Sequence, residues 1–375
     1  MLLGTSLRDD KMVPDFDTEY LSRKCRILAF CAAVAVVAIH SDCTLVMSNP
    51  AAWDVFAQML YCQRLVKWAV PFFFMLSGLW FARGSYMRGQ SGYGDLLGKK
   101  VKSLVVPWLI FAILGVLVCT PLVVINNYMT HRGLWERTVF NANGMWEALN
   151  ETFAITIPQP RQAGSLWYVR TLLVLFLFAP LWRLILKVSP WIFLAGYICM
   201  KIVPNADIPC IYFAAAHSFF LGIFLGAYKD SLVARMKIPL SVTVLFLGGG
   251  VSLAVAWSGA DAGYWKLSGF GRVVSTLTPL LLGAGVWGLY DHVESRIPKR
   301  LPEFVGWSMW LYLTHTLVAG WFLAAMRFLL GKSDCMMVWL PFVNILFTTI
   351  ISILFGYWIK RRWPKLFAVC CGGRG

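Results

Sequence analysis

Long apolar stretches follow one another along this chain with only short loops between them, and that succession limits what it can fold into. Ten of them, near 26–46, 65–82, 103–125, 165–186, 188–203, 211–228, 238–257, 272–290, 305–328 and 337–359, reach or approach the roughly 20 residues a membrane-spanning helix needs. The whole chain is 59% hydrophobic and 14% charged, against about 45–50% and about 25% in a soluble domain. The expected fold is an all-α polytopic membrane protein of about ten transmembrane helices with cytoplasmic N- and C-termini. Residues 1–24 read as a cytoplasmic tail, 25–360 as the transmembrane domain and 361–375 as a second cytoplasmic tail. The polar start carries no cleavable signal peptide pattern.

The formal net charge of +16 would suggest nucleic acid in a soluble protein. Here the basic residues cluster in alternate loops, as the positive-inside rule requires of cytoplasmic segments. Examples are Arg23, Lys24 and Arg26, then Arg83, Arg88, Lys99, Lys100 and Lys102, then Arg296, Lys299 and Arg300, and finally Lys360, Arg361 and Arg362. Anionic lipid is their expected partner, and nucleic acid is not. The cysteines show no metal-binding spacing, so neither a bound metal nor a resident cofactor is expected. Cys370-Cys371 reads as a pair of free tail thiols, with acylation as the alternative.

Soluble-enzyme signatures are absent: there is no GxSxG elbow, Walker loop or HExxH. Any chemistry is therefore carried by polar groups inside the apolar spans. His40 is the first, about six residues and roughly 9 Å short of the outer end of the first span. An imidazole in hydrocarbon needs partners or a water-filled cavity. Arg170 sits at matched depth in the fourth span with Trp167 one turn above it. It either snorkels to the interface or binds an anionic or sugar group. Ser308, Tyr312 and His315 share one helical face in the ninth span, either as interhelical hydrogen bonds or as part of a site. His217 reads as a boundary residue. Gly222 and Gly226 form a small-xxx-small packing face. Lys99, Lys100 and Lys102 are either a topology signal or a phosphate-binding cluster.

Six segments in order resemble signatures of the acyltransferase 3 family of bacterial membrane O-acyltransferases. They are the helix ending in His40, VPFFFMLSGLWFA from Val70, KKVKSLVVPWLIFA from Lys99, SLWYVRTLLVLFLFAPLW from Ser165, FFLGIFLG from Phe219 and GWSMWLYLTHTLV from Gly306. The resemblance implies transfer of an acyl group, usually acetyl, from cytoplasmic acyl-CoA to a sugar hydroxyl of a surface glycan or its lipid-linked precursor, at the plasma (inner) membrane. It assigns the essential His to His40, the basic motif to Lys100 and Lys102, and an aromatic position to Trp167. The family's basic residue ahead of the His falls on Ala29 here. Arg26, within about 40° of His40 on a helical wheel, is the expected stand-in. On this reading Arg26, Lys99, Lys100 and Lys102 bind the donor's phosphates, while Trp167, Arg170, Tyr312 and His315 contact substrate. A transporter and a non-catalytic scaffold for a glycan precursor remain the rival readings.

Overall fold

The computed structural model describes residues 15–41, 57, 59–129, 131–157, 159–185, 195, 213–228, 238–260, 269–330 and 339–373. Among them every regular element is helical. Three helices are long and apolar enough to cross a membrane, or four if one bent pair counts as a single span. The expected span over 188–203 lies outside the described residues.

The first helix, α1 (Asp15–Ile39), starts well ahead of the expected span and stops short of its expected end. Residues 15–24, read from sequence as polar tail, are helical because distant partners absorb their charges. Lys24 has no exposed side-chain area, and its Nζ lies 2.5 Å from Asp291 Oδ1. The Tyr20 hydroxyl donates to that same oxygen at 2.5 Å. The Trp287 ring lies 4.2 Å from the ammonium. Arg23 reaches Glu294 at 2.8 Å and also donates to the Ile297 and Pro298 carbonyls. The base of α1 is thereby bolted to the end of a later helix.

Helix α2 (Ala69–Ala82) takes Pro71 in its first turn, where the missing N–H costs no helical bond. Next comes one continuous helical stretch, Tyr93–Met129. It comprises α3 (Tyr93–Lys100), a widened π turn over Val101–Val105 and α4 (Val106–Met129). The widening has a local cause: the ring of Pro107 clashes with the carbonyl four residues back, and a π turn relieves it. Lys99, Lys100 and Lys102 thus lie inside this helix rather than ahead of it. A short amphipathic helix, α5 (Met145–Phe153), forms in the long loop, as its apolar pattern around Trp146 predicts.

The fourth expected span is not one helix. It breaks by 67° between α6 (Trp167–Leu177) and α7 (Ala179–Ile185). Pro180 lacks the N–H that would bond the Phe176 carbonyl and its ring crowds that carbonyl, so the helix breaks at Phe178. Side chains take up the carbonyls freed at the break. Trp182 Nε1 donates to Leu175 at 2.8 Å and the Tyr93 hydroxyl to Leu177 at 2.7 Å.

Helix α8 (Phe213–Tyr228) packs closely on α2. A Cβ at Gly222 would lie 1.9 Å from the Met75 carbonyl oxygen, and one at Gly78 would lie 2.0 Å from that of Phe219. The expected Gly222/Gly226 packing face is real, and Gly78 completes it from the other side. Helices α9 (Ile238–Ala260) and α10 (Gly269–Val293) pair, as do α11 (Ser308–Leu330) and α12 (Leu340–Arg362). A short helix, α13 (Pro364–Cys370), folds the expected tail back, burying Phe367 against Trp307 and Trp310. One core cluster runs through α1, α2, α4, α6, α8, α10 and α11.

Candidate active site

Helix α1 ends at Ile39, so His40 follows its last residue instead of lying within the span. The His40 N–H still bonds back to Val36 and Val37, and the Ser41 hydroxyl donates to the Val37 carbonyl at 2.8 Å. This closes the helix end. Beneath it Ala33, Val37 and Leu311 form a small apolar seat that holds α1 on α11. The His40 side chain is exposed, and its ring centroid lies 5.0 Å from that of His315 at a tilt of 46°.

His315 has no exposed surface. Its Nδ1 lies 2.5 Å from the Tyr312 carbonyl oxygen. A carbonyl only accepts, so Nδ1 carries the proton and the neutral ring presents a lone pair at Nε2. Among the described residues Nε2 has no partner. An orphaned buried acceptor costs about 1–3 kcal/mol, a cost that calls for an explanation. The Tyr312 hydroxyl donates to the Ser165 carbonyl at 2.5 Å, and Ser165 and Thr316 hydroxyls meet at 3.2 Å. Tyr168 lies 5.1 Å from Tyr312, ring to ring, and its hydroxyl meets Ser77 at 3.3 Å. Phe74 packs on Tyr168 at 4.6 Å and on Trp167 at 6.1 Å. The start of α6, the face of α11, the end of α1 and the middle of α2 therefore converge at one place.

That place is in the middle of the α11–α12 hairpin. Trp310 Nε1 donates to the Ser352 carbonyl on one side of His315, and Phe322 packs on Phe347 on the other. His40, just past the end of α1, is thus level with His315, eight residues into α11.

Other expected site residues lie elsewhere. Arg170 is buried and its guanidinium donates to the Ala154 and Ile157 carbonyls, so it fastens the 154–164 loop over the start of α6. Arg26 is exposed, fourteen residues and roughly 21 Å along α1 from His40. Lys100 lies over the Phe176 ring, 3.8 Å from its centroid, while Lys99 and Lys102 are exposed. Trp167 and Phe176 are nine residues apart on α6, so about 14 Å separates the histidine level from the lysines. Asp42, two residues past His40, lies outside the described residues. His217 is buried near the start of α8.

Sequence reading passed over a polar face on α12. Asn344, Thr348 and Ser352 are all fully buried at i, i+4 and i+8, with Thr348 donating to Asn344 Oδ1 at 3.0 Å. The regular spacing was the available signal. A separate cavity of about 230 Å³ lies among Trp68, Phe72, Met75, Leu221, Gly283 and Trp287, and no lining residue belongs to the histidine cluster. Among the described residues no three His, Cys, Asp or Glu side chains gather as a metal site.

The family model described as an acyltransferase domain matches residues 27–361, nearly the whole chain. The chain belongs to the acyltransferase 3 family. As a member of that family, and with its long apolar helices, it is a membrane protein with acyltransferase character. The acyltransferase 3 match contains both histidines, the lysine cluster and Arg170, and begins one residue after Arg26. No curated protein and no solved structure matches the chain.

Proposed function

We propose that the protein is a multi-pass enzyme of the plasma (inner) membrane that moves an acyl group, acetyl in the simplest case, from cytoplasmic acyl-CoA to a hydroxyl of a surface or lipid-linked glycan. The observation that carries this reading is the meeting of His40 and His315 in mid-hairpin, one imidazole accessible and the other buried. Acyl transfer to a hydroxyl needs a base beside the nucleophile, and His40 is the accessible one. Lys99, Lys100 and Lys102 supply positive charge for the donor's phosphates. The roughly 14 Å along α6 between them and the histidine level suits an extended pantetheine arm.

In this scheme the acceptor oxygen attacks the thioester carbonyl while His40 takes its proton. The C–O bond forms, the C–S bond breaks, and the sulfur leaves with the electron pair. His40 then returns the proton to the sulfur, giving ester and free CoA. Trp167 and Tyr312 wall the chamber. Arg170 shapes it by holding the loop rather than by binding a sugar. Ten spans with both termini cytoplasmic complete the reading, checked by reporter fusions at Gly133 (outside) and at Arg374 (inside).

The test is transfer of labelled acetyl from acetyl-CoA to candidate glycans by purified protein, wild type against His40→Ala. Transfer that disappears in the variant while CoA binding persists supports the reading. Wild type that neither transfers nor binds CoA sinks it. The bent α6–α7 pair is the one observation favouring transport of a glycan precursor, since broken helices line many carrier sites. Glycan flux into vesicles without acyl-CoA would select that alternative.

A further inference from the structure

The His40–His315 pair holds more than a base. A base needs its tautomer fixed by a bond to its second nitrogen, and hydrolases and transferases commonly assign that task to a third group. Among the described residues the ring neighbours of His315 are His40 and Tyr312. The bond from Nδ1–H to the Tyr312 carbonyl fixes how the His315 ring is turned and leaves Nε2 as a buried acceptor. The two rings touch at 5.0 Å between centroids and a tilt of 46°, and in this arrangement no hydrogen bond joins them. Turned so that a nitrogen of each faces the other, two imidazoles at about this separation share one N–H···N bond of about 2.9 Å.

Resting on the acyl-transfer reading above, we propose that His315 is a positioning residue: when the exposed His40 ring turns toward it, the unpartnered Nε2 accepts an N–H from His40 and so leaves the other His40 nitrogen free to take the acceptor's proton. His315 gains and loses no proton over the cycle. Its contribution grows as the reaction proceeds. When His40 becomes an imidazolium, its bond to Nε2 becomes charge-assisted and stronger. That interaction favours the transition state over the ground state, which is the condition for raising kcat rather than tightening binding. The Tyr312 carbonyl holds the His315 ring, and the seat of Ala33, Val37 and Leu311 holds the end of α1 beside it.

Two substitutions separate this role from a structural one. His315→Asn keeps a donor where Nδ1–H bonds the Tyr312 carbonyl but has nothing at the Nε2 position. His315→Gln places an amide oxygen near that position. The expected result is a kcat about 10²-fold lower in His315→Asn, with both KM values and the melting temperature as in wild type. In His315→Gln, kcat returns to within about tenfold of wild type. Wild-type kcat in His315→Asn, with His40→Ala inactive, overturns this role alone. So does an equal loss in the Asn and Gln variants when both fold. An inactive wild type, or a His40→Ala enzyme as active as wild type, overturns the acyl-transfer reading and this role with it.

Discussion

Replacing Lys24 by Met tests whether α1 is held by a buried charge pair. Lys24 has no exposed side chain and Asp291 almost none, at 2%. Removing the ammonium leaves the Asp291 carboxylate buried with the Tyr20 hydroxyl still donating to it. Removing one partner of such a pair costs about 3–5 kcal/mol, because the remaining charge stays desolvated. The cation over Trp287 at 4.2 Å was worth up to about 2 kcal/mol in a dry site, and Met packing against the same ring offsets part of that loss. Asp291→Leu leaves the mirror-image orphan and has a similar cost. The double variant Lys24→Met/Asp291→Leu has no buried charge and is expected within about 1–2 kcal/mol of wild type. The diagnostic result is therefore a double variant more stable than either single one. In detergent, followed by tryptophan fluorescence, each single variant is expected to melt about 5–10 °C lower. On the proposed function, acyl transfer should fall alongside, because His40 lies sixteen residues on, just past the end of the same helix. A Lys24→Met protein that melts like wild type, or a double variant as weak as the single ones, refutes the reasoning.

Gly222→Ala should separate α8 from α2 and yield little monodisperse protein, since the new methyl meets backbone at 1.9 Å. Gly249→Ala, with nothing within 4 Å, should gain about 0.5–1 kcal/mol from helix propensity. Arg170→Met frees the Ala154 and Ile157 carbonyls and should cost about 2–4 kcal/mol; limited proteolysis should then cut within 154–164, and an intact loop would count against the fastening role. Burial pushes the Cys370 thiol up to about 11 and that of Cys371 up to about 12, from 9.0. The folded state holds those protons more tightly, so the associated stability is present below pH 9 and lost as pH rises through 11–12. Neither thiol should react with maleimide at pH 8 until the protein is unfolded.

The all-helical character of the described residues was legible in the long apolar stretches, although among those residues only three helices, or four with the bent pair, are long and apolar enough to cross a membrane. The Gly222/Gly226 face, the helix around Trp146 and the helices over 238–260 and 340–362 were legible because their causes are local. The start of α1 was not. Arg23 and Lys24 look like a topology signal when only neighbouring residues are considered. Their true partners, Glu294 and Asp291, are some 270 residues away. Arg170 was ambiguous for the same reason. A buried guanidinium can face a ligand or a loop carbonyl, and only the tertiary path of residues 154–157 decides. His40 and His315 were each visible as imidazoles in apolar spans. Their meeting was hidden because it depends on where α1 stops.

That stopping point ties the fold to the chemistry. A helix that ends level with the middle of its neighbours leaves backbone carbonyls at a depth where lipid has no donors. Non-helical backbone is tolerated there when it is buried in protein or lines a water-filled cavity. Here the last turn is closed by the His40 N–H and the Ser41 hydroxyl, yet the next side chain, His40, is exposed while His315 beside it is sealed. An accessible imidazole at a helix end, backed by a buried acceptor, is unfavourable in a protein that only spans lipid. It suits the proposed acyl transfer, in which a thioester and a hydroxyl come to the same point. The early end of α1, fixed at its base by Lys24 and at its side by α11, is therefore the feature that sets an exposed imidazole against a buried one.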